Sequence, residues 1–206
     1  SVLTTNPHVA IITLGCAKNE VDSAAMAKRL SQAGFVMIDN PLEAQAIIIN
    51  TCSFIQSATE ESLEAIFDAA DLPNVIEGTP LIISGCMPAR YGSDLAEELT
   101  EASAFVPCDK EADIVAIVAH ELNCKLDDQG KLPTPTPFES SNASDGCEAS
   151  ICEEIPSQQA ASAYVKISDG CDRFCSYCTI PFIRGRYHSF TFEDIFENVT
   201  EHINNG

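Results

Sequence analysis

Cys171, Cys175 and Cys178 stand in the order C-x-x-x-C-x-x-C within DGCDRFCSYCTIPFIRGR, residues 169–186. Three thiolates so close together can wrap one iron-sulfur cubane and leave one of its four irons without a protein ligand. A cluster with four cysteines mainly moves electrons, whereas one with three keeps an iron open to bind something else. Tyr177, just before the last of the three, offers a flat aromatic face to a planar base. Zinc is the competing reading. It takes three thiolates plus a fourth ligand, and structural zinc sites usually close with a second C-x-x-C or a His pair. No such pair follows here.

A second set of cysteines depends on the elements that carry it. The runs VAIITL from Val9, AIIIN from Ala46 and LIIS from Leu81 are continuously apolar and rich in β-branched residues, as strands buried on both faces are. Each is followed by a helix-like stretch, residues 20–33, 59–70 and 89–100. Such alternation predicts an α/β domain with a parallel sheet and right-handed crossovers. Residues 104–106 add a short fourth strand, with residues 111–122 as its helix. Cys16, Cys52 and Cys86 each lie two residues past one of the first three strands. In a parallel sheet all three fall at the carboxyl edge, where such sheets bind ligands, so a metal or cluster site is expected there. The bland alternative is a set of inert core thiols.

Gly15, Ser53 and Gly85 flank the three cysteines and let backbone come close to a cluster. Asn19, Asp22 and Ser23, at the start of the first helix, are expected to cap it. Cys108 also follows a strand, but strand order can carry it to the far side of the sheet, so it is left outside the set. Cys124 is assigned no role, and Cys147 and Cys152 read as free thiols.

Composition narrows the partners. The formal charge of −20 sets the chain against a phosphate backbone unless a separate basic surface makes the contact. Lys166, Arg173, Arg184 and Arg186 gather around the cysteine loop against Asp169 and Asp172. That local excess fits an anionic small ligand better than a nucleic-acid groove. No basic n-region opens the chain and no run approaches a membrane span. Ten cysteines then point to a reducing compartment and metal chemistry.

Residues 125–162, with PTPTP and SSNASDG, read as a flexible acidic linker between two units. Beyond it, AYVKIS (residues 163–168) reads as a strand and residues 191–205 as an amphipathic helix capped by Thr191. Strand, cysteine loop and helix make the opening βα unit of a barrel, and a full barrel needs several more. The chain is expected to stop inside this second unit.

The cysteine loop resembles the signature of the radical S-adenosylmethionine enzymes, and the whole arrangement resembles one branch of them, the methylthiotransferases. The stretches LGCAKNEVDS (14–23), NTCSFIQSATEESLEAI (50–66), SGCMPARY (84–91) and AYVKISDGCDRFCSYCTIPFIRG (163–185) carry the likeness. It implies a Rossmann- or flavodoxin-like methylthiotransferase domain over 1–124 and the incomplete start of a radical S-adenosylmethionine barrel over 163–206. It implies two 4Fe-4S clusters, one held by Cys16, Cys52 and Cys86, the other by Cys171, Cys175 and Cys178, with S-adenosylmethionine beside Tyr177. The second stretch, with Ser53, Phe54, Glu60 and Glu61, is most similar to the cytoplasmic enzymes that modify an aspartate of small-subunit ribosomal protein S twelve. A flavodoxin or ferredoxin would be the reductant. A tRNA methylthiotransferase acting on a modified adenosine, and a non-catalytic iron-sulfur or zinc-binding scaffold, are the alternatives. Where the family has Ser-Arg, this chain has Ser189 and Phe190. On this resemblance the 206-residue chain should bind the first cluster but not turn over.

Overall fold

A computed structural model describes residues 6–133 and 162–204. Five parallel strands, β1 (His8–Thr13), β2 (Val36–Met37), β3 (Ala46–Thr51), β4 (Leu81–Gly85) and β5 (Ala104–Pro107), form one sheet in the order β2-β1-β3-β4-β5. This is the flavodoxin-like order, with its switch point between β1 and β3. The α/β expectation is therefore met, and β2 is a strand the apolar pattern did not show.

Helix α1 (Ala17–Gln32) and helix α5 (Ile114–Glu121) cover one face; α2 (Gln56–Ala70), the single turn α3 (Pro73–Ile76) and α4 (Cys86–Glu98) lie on the other. Alternation along the strands decides which side chain goes where. Ile48 and Ile82 meet Met26, Leu30, Ile114 and Val118, whereas Ile47, Ile49, Leu81 and Ile83 meet Ile66, Ala69, Met87 and Leu95. Every residue of β3 is buried, and each of its isoleucines contributes roughly 1.5–3 kcal/mol by leaving water. The chain after α5 stays on this domain: the Leu132 amide donates to the Ala33 carbonyl at 2.8 Å.

Residues 134–161 lie outside the described residues, and with them most of the expected linker, Cys147 and Cys152. Beyond, the structure corrects one expectation. Residues 163–167 are not a strand; only β6 (Ser168–Asp169) pairs, antiparallel, with β7 (His188–Ser189). A strand exists through its ladder, and among the described residues no parallel strand lies beside AYVKIS, whose Tyr164 and Ile167 are exposed. A one-turn α6 (Ile180–Ile183) follows the cysteine loop, and α7 (Phe192–Asn204) begins as expected at Thr191. The Thr191 hydroxyl accepts from the Asp194 amide at 3.2 Å while Asp194 Oδ2 accepts from the Thr191 amide at 3.3 Å, a reciprocal cap.

Candidate functional site

The carboxyl edge of the sheet is built from the backbone upward. In register, Thr51 pairs with Gly85 and Gly85 with Pro107, so Cys52, Cys86 and Cys108 are each the next residue beyond a paired position. Cys16 follows β1 on the other side of β3, at the N-terminus of α1. Four cysteines thus stand along one edge in the order Cys16, Cys52, Cys86, Cys108. The strand order places Cys108 beside Cys86 and removes the ground for setting it on the far side of the sheet.

Turn geometry brings the first two together. Gly15 has φ +92°, and a Cβ there would fall on Cys52 Cβ and lie 2.8 Å from its Sγ. Only glycine lets the turn after β1 pass so close to that thiol. Gly85, at φ +93°, is likewise pressed against the carbonyl of Thr51. The Ser62 hydroxyl of α2 donates to the Cys52 carbonyl at 2.9 Å and accepts from the Cys52 amide at 3.1 Å. Arg90 Nη1 donates to the Ser53 carbonyl at 2.5 Å.

Asn19, Asp22 and Ser23 do not cap α1, whose N-cap residue Cys16 makes no side-chain capping bond. Asn19 Nδ2 instead donates to the carbonyls of Leu14 (2.9 Å) and Thr51 (2.8 Å), lacing the β1 turn to the end of β3. Ser23 Oγ takes bonds from the Thr13 hydroxyl (2.7 Å) and Asn50 Nδ2 (3.0 Å). Asp22 reaches across to the second unit.

There Arg184, 8 % exposed, lies over the edge. Its Nη1 donates to Asp22 Oδ2 (2.5 Å) and Asp169 Oδ2 (3.2 Å); its Nη2 donates to Asn19 Oδ1 (2.9 Å) and to Cys86 Sγ (3.7 Å). Lys166 pairs with both carboxylates at 2.6 Å, and Lys18 with Asp169 at 3.1 Å. The basic residues Lys166 and Arg184 are thus taken up by Asp22 and Asp169. Charge counted along the loop could not show that Asp22, far away in sequence, pairs with them.

These contacts set the protonation of the edge. Burial pushes the Cys52 thiol up. A hydrogen bond from Cys108, together with the Arg184 guanidinium, outweighs burial and lowers Cys86 to about 7, while Cys108 is correspondingly raised. Burial pushes Glu111 up to about 8, and the Asp22 carboxylate adds to it. Burial would favour a neutral Asp169, but hydrogen bonds from Lys166 and the Gly170 amide hold it below the usual carboxylate range.

The second trio is arranged differently. Cys175 is exposed, Cys171 and Cys178 partly so, and the loop is held by the Cys171 amide donating to the Gly185 carbonyl (3.1 Å) and a turn from Cys175 to Cys178 (3.0 Å). Tyr177 is 89 % exposed, its ring free to face a ligand. Phe190 packs edge-on against His188 at 5.4 Å and donates its amide to the Ile167 carbonyl at 3.1 Å.

Among the described residues no three Cys, His, Asp or Glu side chains converge as the ligands of a single metal ion do. A cubane is wider than one ion, so its ligand sulfurs stand farther apart. Three thiols around a turn kept clear of side chains by Gly15, with one sulfur already facing a guanidinium, fit such a group. Sequence reasoning missed Arg184 as a bridge and Cys108 as a neighbour of Cys86.

The sheet domain with its row of strand-end cysteines belongs to the family described as uncharacterized protein family UPF0004, whose model matches residues 8–107. Over nearly its whole length the chain is also similar to proteins named ribosomal protein uS12 methylthiotransferase RimO. That of Natranaerobius thermophilus is 37 % identical over 202 residues, 96 % of this chain and 42 % of the relative. That of Anaeromyxobacter sp. (strain K) is 37 % identical over 189 residues (91 % and 37 %), and that of Acetivibrio thermocellus 39 % identical over 187 residues (91 % and 40 %). On these matches the chain is similar to methylthiotransferases of the RimO type. The chain spans about two fifths of their length. Among the described residues no helix is long and apolar enough to cross a membrane.

Proposed function

We propose that this chain carries the paired cysteine sites of a cytoplasmic methylthiotransferase that places a methylthio group on the β-carbon of an aspartate in ribosomal protein uS12. The observation that carries the reading is the seating of the cysteine-loop unit on the sheet edge through Arg184, which touches Cys86 on one side and Asp169, just before the loop, on the other. Similarity to proteins named for uS12 modification supplies the substrate.

Cys16, Cys52 and Cys86 would hold one 4Fe-4S cluster, and Cys171, Cys175 and Cys178 a second beside Tyr177. When bound, the clusters and S-adenosylmethionine supply a sulfur atom, a methyl group and the radical chemistry that activates an unreactive carbon. The chain's own residues do the rest. Ser62 and Asn19 fix the backbone that carries Cys52, and Gly15 keeps the space beside its sulfur open. Arg184 places a permanent positive charge against the Cys86 sulfur, favouring its thiolate. The Asp22 and Asp169 carboxylates hold that guanidinium in position. A flavodoxin or ferredoxin is the class of reductant that this chemistry requires.

The complete protein, supplied with ribosomes and with tRNA in parallel, should place methylthio label in uS12. Label in tRNA alone would overturn this reading, and zinc at stoichiometric level without sulfide would remove both enzymatic ones.

A further inference from the structure

The fourth cysteine of the row belongs to neither trio. Cys108 follows Pro107, the register partner of Gly85, which Cys86 follows. Neighbouring strands lie about 4.8 Å apart, within the span of about 4.4–6.8 Å between Cα atoms that a disulfide bridges. Cys52 is adjacent to Cys86 by the same register. Access breaks the tie, because Cys52 is buried like Cys86 whereas Cys108 is partly exposed. Cys86 is fully buried, whereas Cys108 lines a cavity of about 910 Å³ between α1 and the second unit, beside Arg29, Glu111, Lys166, Phe182 and Arg184.

We propose that Cys86 and Cys108 form an oxidisable dithiol, a modification site that takes a low-molecular-weight disulfide entering through this cavity. The reaction is thiol-disulfide exchange in two steps through a mixed disulfide. One S–S bond forms between Cys86 and Cys108, the S–S bond of the small disulfide breaks, and the two protein thiol protons leave with its two sulfurs. Two electrons pass from the protein to the small molecule, which departs as two thiols. The Cys86 sulfur is then unable to bind iron. That consequence rests on the reading of Cys86 as a cluster ligand; the disulfide itself does not.

The test uses the complete protein with Cys171→Ala, Cys175→Ala and Cys178→Ala, so that iron reports the sheet edge alone. Metal-free protein treated anaerobically with oxidised glutathione should yield a peptide linking Cys86 to Cys108. Its iron uptake should fall at least tenfold and return after dithiothreitol. Adding Cys108→Ser should abolish the crosslink and preserve uptake through the same treatment. Cys86 linked instead to Cys52, to Cys16 or to glutathione as the stable product would overturn the proposal. So would a Cys108→Ser protein that takes up no iron before any oxidant, since Cys108 would then be an iron ligand. Failure of the cluster reading looks different: the reduced protein takes up no iron, while the Cys86–Cys108 crosslink still forms or fails on its own.

Discussion

The two cysteine trios contrast in how their geometry is fixed. Cys52 and Cys86 are buried, sit on strand ends, and are laced by Ser62, Asn19 and Arg184. The Cys171–Cys178 loop is exposed, turns on a few backbone bonds, and carries Phe174 and Tyr177 out toward solvent. The edge site is thus organised by the fold itself, whereas the loop rests on a few local backbone bonds. Cysteine position is coupled to folding energy at the first and nearly independent of it at the second.

Paired substitutions can break that contrast. With Cys86→Ala or Cys175→Ala, iron in the reconstituted protein should fall by half, from about eight atoms to about four. Only Cys86→Ala should also weaken the metal-free domain, by about 1 kcal/mol, read as a shift in denaturant midpoint. An equal loss with Cys175→Ala would show that the loop is as much a part of the folded scaffold as the edge.

Arg184→Met tests the bridge. It leaves Asp22 facing Lys166 alone in a buried site, and breaking such a pair costs about 3 kcal/mol. Hydrogen exchange across residues 180–189 should accelerate roughly a hundredfold, while exchange in β3 stays unchanged. Unchanged exchange in 180–189 would mean that the second unit is seated by other contacts.

Glu111 gives a pH test of the edge. Its carboxyl is raised from an ordinary value of 4.5 to about 8, so between these limits the folded domain holds a proton that the unfolded chain releases. Stability contributed by the neutral carboxyl is complete below pH 4.5 and is lost as pH rises through 8. Glu111→Gln should flatten the fall in stability over this window, by at most about 5 kcal/mol between its ends. The same slope in wild type and variant would sink the assignment.

The smallest effect belongs to Tyr177→Ala. Exposed as it is, the ring should change metal-free stability by less than about 0.5 kcal/mol. Its loss should appear instead as weaker binding of S-adenosylmethionine to the loaded protein, measured calorimetrically.

The four longer strands were legible because buried parallel strands read as unbroken apolar runs, and AIIIN and LIIS are such runs. Strand β2 was not, since two residues carry no period. Helices α1, α2 and α4 each begin three residues before the place their pattern suggested. Their N-cap residues Cys16, Ile55 and Gly85 make no side-chain capping bond, so the usual start signal is missing. Six cysteines could be singled out because spacing and strand ends are local properties. The neighbour relation of Cys86 and Cys108 depends on strand order, and the Asp22–Arg184 pair spans 162 residues. Neither leaves a local trace. AYVKIS misled for the converse reason: β-branched residues favour a strand, but only a partner strand makes one.

The knot of Asp22, Lys166, Asp169 and Arg184 also has a consequence on an evolutionary scale. A charge lost at any one of the four leaves an unmatched ion in a buried place, so these positions can change only together. Across descendants of this gene, residues 22, 166, 169 and 184 should therefore drift as a linked set, even where the stretch between the two units is free to vary.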